Sequence, residues 1–150
     1  MVDIEVYADI WCPFTHVGLR RLTAERARRN ASAPLRIRPW PLELVNGKPM
    51  DAAFIGEEIE DLRAQVASDL FRGFREERFP TTTLPALALA ESAYGVDEQL
   101  GERMSLMLRD ALFEEGLDIS DPNVLSELAS ELGAPLPEED ELDSMSRAWA

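Results

Sequence analysis

The chain has 150 residues, with 15 Lys and Arg against 29 Asp and Glu, one Cys and one His, giving a net charge of −14. That length makes one domain with room for a real core, and 45% hydrophobic with 29% charged residues excludes a disordered chain. One Cys excludes an internal disulfide framework, one His argues against a His-rich metal site, and no apolar run of about 18 residues offers a membrane span.

Val2 to Ile10 reads as a strand, with Val2, Ile4 and Val6 alternating with Asp3, Glu5 and Tyr7. Asp3, Glu5 and Asp9 also interrupt any basic-then-apolar leader, so a cytoplasmic protein is expected. Cys12 and Pro13 then open a helix predicted from Phe14 to Asn30, with Val17, Leu22 and Ala27 on its apolar side. After a loop to Pro34, a second strand runs from Leu35 to Trp40. It turns Leu35, Ile37 and, as a third candidate, Trp40 inward, and Pro39 and Pro41 close it. A helix between two strands makes a βαβ unit with parallel strands.

Everything beyond Asn46 and Gly47 reads as helical. Ile55, Ile59, Leu62, Val66 and Leu70 step by three and four along one face, and Gly73 is the expected stop. Thr81, Thr82 and Thr83 form a loop ending in an N-cap. A helix from Leu84 to Tyr94 follows, closed by Gly95. Asp97 caps the next helix, which buries Leu100, Met104, Met107, Leu108 and Ala111 and ends at Gly116. Ser120 or Asp121 caps another, with Pro122 in its first turn and Gly133 after it. A last acidic helix spans Glu138 to Ala150, with Leu142, Met145 and Trp149 as its apolar side.

The charge is uneven. Residues 1–50 hold five acids and eight bases, so the remainder carries the acidity. An acidic body repels nucleic acid and anionic lipid, and neither is an expected partner. Arg20, Arg21, Arg26, Arg28, Arg29, Arg36 and Arg38 read as a solvated face, with the late helical arginines complementing the helix dipole. No Gly-rich phosphate loop and no metal-ligand spacing stands out.

The informative stretch is Asp9-Ile10-Trp11-Cys12-Pro13-Phe14-Thr15-His16-Val17-Gly18. It puts a thiol at the start of a helix, where free N–H groups and the positive dipole end favour the reactive thiolate. Thr15 and a protonated His16 would favour the anion further. Burial against Trp11 and Phe14 would oppose it. A buried, inert Cys is the competing view. His16 by itself reads more readily as a packed histidine than as a catalyst. Trp11 and Phe14 read first as packing residues and second as walls of a substrate groove.

Ala8 to Leu22 resembles the opening of DsbA-like thioredoxin-fold proteins. It is more narrowly similar to the branch grouping FrnE-type oxidoreductases, 2-hydroxychromene-2-carboxylate isomerases and kappa-class glutathione transferases. Thr83 to Ala90 is similar to that family's alanine-rich helix, and Ala111 to Ser120, Val124-Leu125 and Glu131 to Gly133 resemble its helical insert. The resemblance implies an α/β fold: a thioredoxin-like βαβ part over 1–48 and a large α-helical insertion over 49–150. It also implies that Cys12 is the attacking cysteine; Trp11, Pro13 and Phe14, its neighbours in sequence, are the candidate substrate-binding residues.

Two departures from the family pattern matter. Thr15 stands where the redox members carry a resolving Cys, so the turn is monothiol and release of a mixed disulfide needs an external thiol such as glutathione. The C-terminal strands of the fold, which begin at a cis-proline, have no counterpart. A further segment, another chain, or the protein's own helices covering the gap are therefore the expected ways to make good the open sheet edge.

Three functions follow as expectations. The first is a thiol-dependent oxidoreductase with Cys12 as nucleophile, tuned by Thr15 and His16. It would act on a small thiol or disulfide and carry no covalently bound cofactor. The second is a glutathione-type isomerase or transferase, with Thr15 holding the thiol cofactor and the early arginines meeting carboxylates. The third is a non-catalytic binding module of degenerate thioredoxin type.

Overall fold

The computed structural model describes residues 3–148. Two strands, β1 (Ile4–Ala8) and β2 (Leu35–Pro39), pair in parallel, with Ile4 opposite Leu35 and Val6 opposite Ile37. Helix α1 (Pro13–Arg28) is the crossover between them. The pleat puts Ile4, Val6, Leu35 and Ile37 on one face, against Leu19 and Leu22 of α1. Glu5 and Tyr7 alternate outward, as the sequence predicts, and Val2 lies outside the described residues. Trp40 is a correction: it is 40% exposed, because β2 ends at Pro39 and the chain turns away. Among the described residues the sheet has no third strand.

The outer edge of β2 is occupied by a side chain. The Tyr94 hydroxyl accepts the Ile37 N–H at 2.9 Å and donates to the Leu35 carbonyl at 3.1 Å. One phenol thereby satisfies a donor and an acceptor that a strand edge would otherwise leave open. Gly101 makes room for it, since a Cβ there would fall 2.1 Å from the Tyr94 ring.

Helix α1 opens with Pro13 at its first position and closes with Arg26 and Arg28 in its last turn, where cations suit the dipole. Ala27 is exposed, whereas Leu19 carries the burial. A short helix that the sequence reading missed, α2 (Leu42–Asn46), follows Pro41 and ends on Gly47 in the left-handed region. Helix α3 (Ala52–Gln65) starts at Asp51, whose carboxylate accepts the Ala53 N–H at 2.8 Å.

The expected long helix through Leu70 to Gly73 is corrected here. The Val66 and Ala67 N–H groups both go to the Leu62 carbonyl, and the Arg21 guanidinium takes the Val66 carbonyl. The ladder stops, Val66 is left exposed, and Ala67, Leu70 and Phe71 enter the core through a turn. Gly73 has a different duty from the expected one. A Cβ there would lie 2.0 Å from the Glu114 carbonyl, so two backbone segments meet at that point.

After a single 3-10 turn over Glu76–Arg78 come α4 (Leu84–Val96), α5 (Glu98–Phe113), α6 (Pro122–Leu132) and α7 (Glu139–Ala148). Gly95 lies inside α4 instead of ending it. Asp97 caps α5 and Asp121 caps α6, and Gly133 ends α6 at φ +67°. Helix α5 is the axis of the larger core. Its Met104, Leu108, Leu112 and Phe113 belong to one apolar cluster with Leu89 and Ala93 of α4, Leu125 and Leu128 of α6, and Ile55 and Ile59 of α3. Ile10 and Trp11 join that same core, so the turn before α1 is anchored to the helical part. Met145 packs α7 against it, while Trp149 lies outside the described residues. Among the described residues no helix is long and apolar enough to cross a membrane.

Candidate functional site

The site forms where β1 ends and α1 begins. Cys12 is the residue preceding the helix, in extended conformation, half-buried and free. Its side chain caps nothing, and no acid stands in the first turn of α1. The thiol therefore sits at the positive end of a 16-residue helix whose own first turn carries no acid, although Glu114 reaches that turn through His16. Pro13 is buried and donates no N–H. Phe14 is 55% exposed beside the thiol in sequence, and Thr15 is half-buried. Trp11 goes the other way. It is fully buried, stacked on Phe79 at 5.7 Å with rings 8° from parallel. Of the two aromatic candidates, only Phe14 presents a surface to an incoming molecule.

His16 is buried between Phe71 and Phe113, with ring centroids 5.3 and 5.0 Å away. Its Nε2 lies 2.7 Å from Glu114 Oε2. Burial lowers the imidazole from its ordinary value. The Glu114 hydrogen bond and charge pull upward and lose, and Arg20 and Arg109 add to the depression. The ring is thus a neutral Nε2–H donor to Glu114 near neutral pH, and the protonated form considered from sequence is disfavoured. Burial also pushes Glu114 upward, but the Phe71 N–H, His16 and the Arg72 N–H outweigh it and hold the carboxylate below its usual range.

Asp9 supports the turn from beneath. Its carboxylate is 1% exposed and accepts three hydrogen bonds: the Ile10 N–H at 2.7 Å, the Thr83 hydroxyl at 2.6 Å and the Leu42 N–H at 2.7 Å. These tie the end of β1 to the starts of α2 and α4. Burial raises the carboxyl above its ordinary value, against the Thr83, Leu42 and Ile10 bonds and the charge of Arg109. Glu43 continues the web, accepting the Thr82 hydroxyl at 2.6 Å and the Thr83 N–H at 3.0 Å. Thr83 begins α4 as expected, but its hydroxyl serves Asp9 instead of capping the helix.

The arginines of the first third are paired within the protein. Arg20 meets Asp110, Arg21 meets Asp69, Arg26 meets Glu102, and Arg28 and Arg29 share Glu25. Arg36 meets Glu98, and Arg38 meets Glu5 and Glu91. Those pairs account for the cluster as a salt-bridged surface. Among the described residues no group of three metal-ligating side chains converges.

One residue of this neighbourhood escaped the sequence reading. Arg109 on α5 is buried and donates from Nη2 to the Asp9 carbonyl at 3.3 Å. Its only sequence signal is position, because it directly follows Leu108 and precedes Ala111 and Leu112 on an apolar face where an arginine is costly.

A search of curated proteins gave no match. A family model described as the DSBA-like thioredoxin domain matches residues 3–147, nearly the whole chain. With a thiol at the strand-to-helix turn of a parallel βαβ unit and helices packed behind it, the chain belongs to the family of DSBA-like thioredoxin domains.

Proposed function

We propose that the protein is a monothiol thiol–disulfide oxidoreductase with Cys12 as its nucleophile. The observation that supports this best is the half-buried free thiol at the N-terminus of a helix with no acid in its own first turn, in a chain of this family. In the forward step the Cys12 thiolate attacks one sulfur of a disulfide. A Cys12–S–S–R bond forms, the substrate S–S bond breaks, and the other sulfur leaves as a thiolate. Thr15 has no sulfur with which to displace R. A second, external thiolate of low molecular weight, glutathione or a relative of it, must attack the mixed disulfide. That attack returns Cys12 as thiolate and releases R joined to the external thiol. Phe14, exposed and two residues after the thiol, is the side chain that would touch the incoming disulfide in this reading.

The test uses a small aromatic disulfide and mass spectrometry. The expected result is one equivalent of leaving thiolate and a mixed disulfide on Cys12 that persists until an external thiol is added. In Thr15→Cys the adduct should instead clear without added thiol. Absence of an adduct in the folded wild-type chain overturns the proposal, as does an adduct that clears unaided.

A further inference from the structure

We infer that one internal water molecule binds in the small cavity between β2, α4 and α5, where it accepts the Arg109 Nε–H and donates to Glu91 Oε1. The inference goes beyond the reading of Cys12 and stands without it.

The cavity has a volume of about 10 Å3. Its apolar walls come from the two strands and α4, and four polar side chains line it: Arg38, Glu91, Ser105 and Arg109. A space of that size holds one water and nothing larger, provided that several polar groups meet it. Pro39 and Glu91 also line an open groove of about 380 Å3 beside α7, which puts solvent on the far side of Glu91.

Arg109 is 1% exposed. Its Nη1 donates to the Ser105 carbonyl at 3.1 Å and the Ser105 hydroxyl at 2.6 Å, and its Nη2 donates to the Asp9 carbonyl at 3.3 Å. Its Nε–H is buried and has no acceptor in the protein. Glu91 is the complementary case. Its Oε2 faces Arg38 Nη1 at 3.5 Å, while its Oε1 is buried and has no donor. Arg38 is engaged on its other side by Glu5 at 3.2 Å. An orphaned donor and an orphaned acceptor therefore belong to side chains that line the same small space. Leaving either unmet is expensive, and a water, which accepts and donates, meets both. The Ser105 hydroxyl is 2% exposed and takes only one hydrogen bond from Arg109, so a lone pair is left for the second proton of the water. The water would join α4 to α5 at the side chain that also holds the Asp9 carbonyl, bracing the turn before α1 from behind.

The test is a water-selective ROE measurement on protein with nitrogen-15 arginine, read at the Arg109 Nε–H. The expected result is a cross-peak of the sign given by bound water, opposite to that of proton exchange. Glu91→Gln, which keeps an oxygen at this position, should retain it, and Glu91→Leu, which removes the acceptor, should lose it. A wild-type Nε–H with no water cross-peak overturns the inference, as does a cross-peak that survives in folded Glu91→Leu. If Glu91→Leu does not fold, a crystal structure of the wild-type chain at a resolution that shows waters decides. One density peak within hydrogen-bond distance of both Arg109 Nε and Glu91 Oε1 is expected, and a dry cavity or a direct Arg109–Glu91 contact overturns it.

Discussion

His16 Nε2 and Glu114 Oε2 meet at 2.7 Å, and through that contact the first turn of α1 is tied to the end of α5. The same Glu114 oxygen accepts the Phe71 N–H at 2.8 Å, so the turn after α3 is gathered into the same joint. Burial keeps the imidazole below its ordinary 6.5. The unfolded chain therefore binds the proton more readily, and the folded state loses stability as pH falls from 6.5 toward the lowered value. Above 6.5 this contribution is constant. The chain has one histidine, so its imidazole gives one NMR signal. Its midpoint should lie below 6.5, and a midpoint at or above 6.5 would contradict the buried, neutral assignment. Denaturant midpoints should fall with pH in this window more steeply in the wild type than in His16→Gln. That difference separates His16 from Asp9, Glu91 and Asp110, whose raised values act in the opposite sense.

Two glycines should respond in opposite directions. At Gly73 a Cβ would enter the Glu114 carbonyl, and the partner there is backbone that cannot swing away. Gly73→Ala should cost at least about 2 kcal/mol. At Gly18, inside α1 and exposed, a Cβ meets nothing within 4 Å. Gly18→Ala should stabilise by about 0.5–1 kcal/mol. Urea unfolding of both variants checks the pair, and equal effects would show that the approach of Gly73 to Glu114 is not tight in solution.

Local signals carried most of the fold, and they failed where a distant partner decided. Alternation of Ile4, Glu5, Val6 and Tyr7, the Asp97 and Asp121 caps and Gly133 are properties of neighbouring residues, and all appear where the pattern puts them. The run from Ile55 to Leu70 kept the helical period through a break, because Leu70 reaches the same core by way of a turn. Nothing near Val66 announces that Arg21, 45 residues earlier, takes its carbonyl. The Cys12–Pro13 turn is likewise a local signal. Its supports are not: Asp9 meets Thr83 and Arg109 meets Asp9 across 74 and 100 residues. Periodicity can mark Arg109 as inward-facing, but only the packed structure names what it faces.

Asp9 offers a test of that support. Replacing it with Asn leaves an amide NH2 toward one of three donors, the Ile10 N–H, the Leu42 N–H or the Thr83 hydroxyl. Asp9→Asn should destabilise by about 1–3 kcal/mol at neutral pH despite removing a buried charge. Thr83→Val, which deletes one donor, should destabilise less in the Asp9→Asn background than in the wild type. Additive effects in this double-mutant cycle would show that the two side chains are not coupled.

The proposed role of Cys12 as a nucleophile at the start of α1 is tested most directly by its alkylation rate at neutral pH. The chain has a single Cys, so the modified fraction reports Cys12 alone. A nucleophilic Cys12 is alkylated at neutral pH faster in the folded chain than in the unfolded chain. A folded rate equal to or below the unfolded one, or protection until unfolding, would contradict this and make Cys12 a packed residue.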